Sequence, residues 1–265
     1  MFLDLKYAVR SIVAAPRFAA VVIITLALGT GTNTAVFSVL NAVVLKPLPY
    51  DQPEQLVRVY HSSGVDNGSL AGAYLTGPAA VGYRDHSRTL DIAITYTYSV
   101  GGADLTSGAG PERVRTMPVS ADYFRVLGVR PALGRDFQQS DDGPWRPQGP
   151  MVAIISDGVW HRRFGGDPAI VGRQTTIQDI PITIIGVLPE GFENVLSPAA
   201  EIWSTLQYDT SPPLNGREWG HHLRMAGRLR QGVQLDQAKQ ELTTIALTKI
   251  SEFPRPPGTT LEDGF

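Results

Sequence analysis

Between Phe18 and Leu45 the chain carries no Lys, Arg, Asp, Glu or His for 28 consecutive positions. A helix needs about 20 residues to cross the hydrocarbon core of a bilayer, so this run predicts a transmembrane helix over residues 18–46. One stretch inside it breaks the apolar pattern: Leu26–Phe37, LALGTGTNTAVF, with two glycines, three threonines and an asparagine. A phosphate-binding loop requires more. The lysine and terminal Ser/Thr of that motif are missing, and Gly29-Thr30-Gly31 is only a fragment of a dinucleotide fingerprint. A cleaved signal peptide would use Lys6, Arg10 and Arg17 as its basic region and Ala20 to Leu28 as its apolar core. Apolar residues resume at Ala35 and run to Leu45, however, past the roughly 7–15 residues typical of such a core. The membrane helix fits best, with a signal peptide and a buried soluble helix as the other readings.

Within a membrane helix, Gly29, Gly31, Asn33 and Ser38 are the candidate packing residues, small or hydrogen-bonding groups that let helices approach closely. The plainer alternative is that hydroxyls bond back to carbonyls of their own helix. Asn33 is expected to face another helix, because an unpaired amide in an apolar medium costs free energy. The charges at the two ends set the orientation. Lys6, Arg10 and Arg17 precede the span and Lys46 alone follows it closely, which predicts a cytoplasmic N-terminus. Phe2, Leu5, Val9, Ile12 and Val13 recur near helical spacing, so residues 1–17 are expected to form an amphipathic helix on the cytoplasmic membrane face.

Beyond Lys46 the pattern changes. Pro47, Pro49 and Pro53 end the helix. Gln55 to His61 alternates like a strand, and Pro78 to His86 reads as a short helix with Thr76 as a possible cap. Ile92 to Val100, a segment near Leu105 and Glu112 to Val119 read as strands. Ser120 is expected to cap a helix that Gly128 stops. Met151 to Ile155 is a strand, followed by a helix capped by Ser156, running through Phe164 and stopped by Gly165-Gly166. A hairpin is expected around Asp179-Ile180, a strand over His222 to Leu229, and an amphipathic helix over Leu235 to Ile250 with Leu235, Ala238, Leu242 and Ile245 inward. The fold class is therefore α+β, one N-terminal transmembrane helix followed by a mixed core in two lobes.

Composition narrows the chemistry. A net charge of −2 gives no electrostatic case for a nucleic-acid partner. The absence of cysteine excludes disulfides, thiolate metal sites and a cysteine nucleophile. Adjacent His221 and His222 would point to opposite faces of a strand and make a poor metal pair. Asp141-Asp142 lie in a Pro/Gly-rich stretch, where neighbouring acids are ordinarily solvated. Trp160, Arg162, Arg163 and Phe164 share one short helix. They form either a binding patch or a packed aromatic with arginines toward solvent. No catalytic constellation emerges, and no catalytic residue, metal or cofactor is expected.

Several long segments resemble a known family. Residues 4–50, DLKYAVRSIVAAPRFAAVVIITLALGTGTNTAVFSVLNAVVLKPLPY, are similar to the first membrane segment of MacB-like, FtsX-type ABC transporter permeases, in particular the acidobacterial duplicated permease group. PERVRTMPVSADYFRVLGVRPALGRDF, ISDGVWHRRFGGDPAIVGR, ITIIGVLPEGF and HHLRMAGRLRQGVQLDQAKQEL resemble its extracytoplasmic core domain, in the family's order. The second of these holds the core-domain motif Trp160, Arg163, Phe164 and Gly165. The resemblance implies an inner-membrane protein with a periplasmic core over residues 47–265. A porter-like lobe (about 47–111 and 220–251) would be interrupted by a mostly β lobe (about 112–219). It implies a homodimer working with an ABC ATPase subunit in trans and with a possible periplasmic partner, in export or mechanotransmission and without enzymatic activity of its own. Complete permeases of this kind carry further membrane helices after the core. None follows before Phe265, so the resemblance also implies an N-terminal part or a truncated product. The rival expectation is a single-span anchored periplasmic binding module.

Overall fold

The computed structural model describes residues 14–40, 50–59, 77–96, 101–106, 110–143, 151–194, 196–197, 199–207 and 223–248. Residues 1–13 of the helix expected over residues 1–17, and the residues Thr76, His61, His221 and His222, lie outside them. Two units are distinct, residues 1–48 and 49–265.

The first unit contains helix α1, Pro16–Leu40. At 1.5 Å per residue its 25 residues span about 37 Å, more than the bilayer core requires. Among the described residues it is the one helix long and apolar enough to cross a membrane. Three of its threonines bond internally. Thr25, Thr30 and Thr34 donate their hydroxyl protons to the carbonyls of Val21, Leu26 and Thr30 at 2.8, 2.7 and 2.8 Å. Back-bonding thus explains these threonines without a partner.

The second unit contains strands β1 (Leu56–Val59), β2 (Leu90–Tyr96), β3 (Gly101–Leu105), β4 (Glu112–Val119), β5 (Leu133–Gly134), β6 (Met151–Ile155), β7 (Gln174–Ile177), β8 (Ile180–Val187), β9 (Ile202–Thr205) and β10 (Leu223–Leu229). Its helices are α2 (Gly77–His86), α3 (Tyr123–Leu127), α4 (Asp157–Phe164) and α5 (Leu235–Thr248). Six strands pair in a ring, β4-β3-β7-β8-β6-β9, which the parallel β4–β9 ladder closes. Closure leaves no free edge among the six, the same device by which barrels avoid edge-to-edge association. Ala103, Leu105, Val114, Ala153, Ile155, Ile177, Ile182, Ile184 and Ile202 share one buried cluster with Val159 and Phe164 of α4.

β1, β10 and β2 form an antiparallel three-stranded extension beside the ring. One of its faces packs with α2 and α5 through Val59, Tyr83, Ile92, Ile94, Met225, Ala238 and Ile245. Ala93 and Ala226, on the opposite face, join α3 in a third cluster with Met117, Val119, Ile154, Ile185 and Trp203 of the ring. α3 therefore wedges between the two sheets.

Three expectations need correction. α3 begins at Tyr123 with Asp122 before it, and the Ser120 side chain does not cap it. That hydroxyl instead accepts the amide proton of Ile94 at 3.0 Å. The β7–β8 turn is at Gln178-Asp179, one residue earlier than expected, with both residues left-handed at φ 49° and 63°. This is the geometry of a two-residue hairpin whose twist matches its strands, and the paired apolar residues Ile177 and Ile180 set its register. Leu235 is exposed rather than inward, while Ala238 and Ile245 are buried.

Candidate functional site

The core-domain motif is built from the cap of α4 upward. Ser156 Oγ accepts the amide proton of Val159 at 3.2 Å, satisfying one donor of the first turn. Gly165 and Gly166 both take positive φ, 67° and 70°, and stop the helix. Trp160 fastens this stop by donating its indole proton to the carbonyl of Asp167 at 2.9 Å. Phe164 turns inward among the ring's aliphatic side chains, and the Arg173 guanidinium sits 5.8 Å from its ring centroid.

The arginines tie α4 to two strands of the ring. Arg162 reaches Glu112 through Nε and Glu201 through Nη2, both at 2.8 Å. Arg163 Nε lies 3.4 Å from the other Glu112 oxygen, and the same side chain donates to the carbonyl of Gly110. Glu201 also accepts the amide proton of Arg115 at 3.2 Å, which fixes it at the start of β9. Arg162 is half-exposed, but the Arg163 side chain is only 8% exposed. The expectation of arginines toward solvent thus holds for one and fails for the other. Trp160, Arg163, Phe164 and Gly165 are brought together, and what they make is a fastening. The residues missing from the sequence reading are Glu112 and Glu201, far apart in the chain and each unremarkable locally.

The membrane-helix candidates do not share one face. At 100° per residue, Gly29 and Asn33 lie together, while Gly31 and Ser38 lie on the opposite side. A Cβ at Gly29 or Gly31 would meet nothing within 4 Å, so either glycine can be enlarged without harming α1 itself. If α1 packs against a partner helix through one face, then Gly29→Leu and Gly31→Leu differ. One variant is expected to lose chemical cross-linking between copies in membranes, and the other to retain it.

The acids at 136–142 are structural. Arg135 holds Asp141 in a two-pronged pair at 2.7 and 3.1 Å. Asp142 accepts the amide protons of Ala121 and Gln207 at 3.0 and 2.9 Å, so it is not the free solvated acid its setting implied. Asp136 is half-buried beside Phe137. Burial pushes its pKa up to about 6, against the amide of Phe137 and the nearby arginines, which pull it down. A carboxylate with a raised folded-state pKa destabilises the fold once ionised. The penalty is absent near pH 4, grows through pH 4–6 and is full above 6. Asp136→Asn is therefore expected to raise stability at pH 7.5 by about 1 kcal/mol, a figure discounted for the side chain's remaining exposure. The gain should vanish at pH 4, as urea unfolding at the two pH values would register.

Among the described residues no group of three His, Asp or Glu could hold a metal ion. His86 Nδ1 lies 3.0 Å from the Gly82 carbonyl and His161 Nδ1 lies 3.2 Å from Asp157, each within its own helix.

Residues 19–245 match the family described as MacB-like periplasmic core domain. Over 93 residues the chain is 32% identical to a probable export ATP-binding/permease protein of Pseudomonas fluorescens. That alignment covers 35% of this chain and 14% of the relative's length. Two solved structures share the fold at 16% identity. One is the periplasmic region of MacB from Actinobacillus actinomycetemcomitans (TM-score 0.52, 74% of this chain and 83% of that one). The other is a permease-protein domain from Porphyromonas gingivalis (TM-score 0.55, 76% and 86%).

Proposed function

Because the chain belongs to the MacB-like periplasmic core domain family, we propose that it is the extracytoplasmic arm of an ABC-type permease, fixed to the inner membrane by α1. The observation that carries this reading is the span of the match, which begins inside α1 and runs without a break through the core to residue 245. An export ATP-binding/permease protein among the relatives supports the same context. On this reading the energy comes from an ABC ATPase subunit in trans. Its part is mechanical: α1 passes movement from the cytoplasmic side to the core, which moves a substrate or engages a periplasmic partner. Two copies work together as a homodimer, with the N-terminus in the cytoplasm, as the basic residues before the span favour.

The strand ladders support a two-lobed reading. β1, α2, β2, β10 and α5 make one, and the ring strands with α4 make the other. β3 goes with the ring, to which it pairs.

A C-terminal alkaline phosphatase fusion tests the topology. Activity confined to the membrane fraction is the expected result. Activity in the soluble periplasmic fraction means the α1 segment is a cleaved signal, and no activity places the core in the cytoplasm. Either outcome overturns the reading. Co-purification of an ATPase with the tagged protein from the host's own membranes tests the energy source.

A further inference from the structure

We infer that Ser120 is the pin that locks the three-stranded sheet β1–β10–β2 to the six-stranded ring, so that the two move as one body. The sheets meet, among the described residues, through a single strand ladder. That ladder, β2–β4, has one residue pair, Thr95 with Val119. Most neighbouring ladders are longer, with seven pairs in β10–β2, five in β3–β4 and four in β4–β9. The short β3–β7 contact is held from both sides by the closed ring.

Chemistry explains why β2–β4 stops. In one direction the next residue of β4 is Pro118, which has no amide proton to give. In the other direction the next residue is Ser120, whose carbonyl is already taken by the amide of Tyr123 at the entry to α3, at 3.0 Å. Two side chains supply what the backbone cannot. Thr95 donates its hydroxyl proton to the Pro118 carbonyl at 2.6 Å. Ser120 Oγ accepts the Ile94 amide at 3.0 Å, while the Ser120 amide donates to the Ile94 carbonyl at 2.8 Å. Thr95 is 0% and Ser120 5% exposed, so these bonds are shielded from water and costly to leave unmade.

The packing points the same way. α3 is buried against both sheets at once, and Arg228 of β10 donates to the Val126 carbonyl of α3 at 2.6 Å. A loose hinge would show few buried contacts and water-exposed bonds, and this junction shows the reverse. Under the proposed function, a displacement entering through the three-stranded sheet reaches the ring undiminished. The purpose rests on that reading, whereas the rigidity does not.

These 265 residues hold no cysteine, so spin-label pairs can be placed cleanly in this chain in detergent. Arg58→Cys with Gln174→Cys joins the exposed side of β1 to the ring, and His161→Cys with Gln174→Cys stays within the ring and α4. The expected result is a narrow distance distribution for both pairs in the parent. Ser120→Ala should broaden the first pair about twofold and leave the second unchanged. A broad first pair in the parent would mean a free hinge and overturn the proposal. A first pair still narrow in Ser120→Ala would overturn it as well, as would equal broadening of both pairs in Ser120→Ala. The measurement needs no ATPase and no membrane, so its failure is separable from failure of the topology test.

Discussion

Phe124→Ala is expected to destabilise the core by about 4 kcal/mol, among the largest single losses available to this fold. Phe124 is 0% exposed, and its ring centroid lies 5.5 Å from Tyr123, 6.0 Å from Phe137, 5.9 Å from Phe192 and 5.7 Å from Trp203. Three of the four contacts are edge-on, the arrangement that the ring quadrupole favours. Its neighbours come from α3, from the loop after β5, from the loop after β8 and from β9, so they cannot collapse together into the space a truncation would leave. For a domain of this size each kcal/mol moves the melting temperature by roughly 2–4 °C. A shift of about 8–16 °C should therefore appear in the circular dichroism melt. A shift of under 3 °C would mean that the aromatic cluster is not the keystone its packing indicates. Phe164→Ala serves as the comparison. Phe164 is 9% exposed and packs among aliphatic side chains and one guanidinium rather than inside a cluster of rings, so a smaller loss is expected.

Gly134→Ala is expected to cost about 3 kcal/mol, although it adds a single methyl group. β5 crosses β8 with Gly134 directly opposite Gly186. A Cβ at Gly134 would lie 2.2 Å from the carbonyl oxygen of Ile185, and one at Gly186 would lie 2.7 Å from that of Arg135. The obstacle in both cases is backbone, which cannot turn aside as a side chain does. Gly134 also has φ 80°, where alanine is strained even in open space. Gly165 separates the two contributions. Its φ of 67° is similar, but nothing lies within 4 Å of its added Cβ. Gly165→Ala should lose only about 1 kcal/mol. Urea midpoints for the two variants would compare them directly, and equal losses would rule out the close approach as the cause.

These residues also show what was legible in the sequence. β4, β6 and α4 were readable almost to the residue, because β4 alternates, β6 is a short apolar run, and α4 has a Ser cap and stopping glycines. Family resemblance supplied the architecture that no local pattern contains. The closure of the ring was hidden, since parallel pairing of Thr116–Val119 with Ile202–Thr205 depends on contacts across most of the core. Ser120 misled for a physical reason. A serine directly before the run ADYFRVLG is a plausible cap, but a turn intervenes and the helix starts only at Tyr123, which leaves the hydroxyl to reach β2 instead. The motif around Trp160 was visible but its purpose was not, because its partners Glu112 and Glu201 have no spacing signal. In α1 the glycines and Asn33 were conspicuous in sequence, yet only the helical period separates them into two opposed faces.

The strand order has a consequence for how the domain is made. Among the described residues β1 pairs with β10 alone, joining residues 56–59 to residues 225–228, and β4 meets its parallel partner only when residue 205 is available. A chain emerging N-terminus first from a ribosome or a translocation channel therefore exposes unpaired strands for nearly the whole of the core's synthesis. Local pairs such as β3 with β4 and β7 with β8 form early, while loop closure delays the rest. During that interval the nascent core is at its most vulnerable to proteases and to sticking to other chains. A translation pause or a break before residue 205 would leave a product with an open ring, while one between 205 and 223 would leave β1 without its partner.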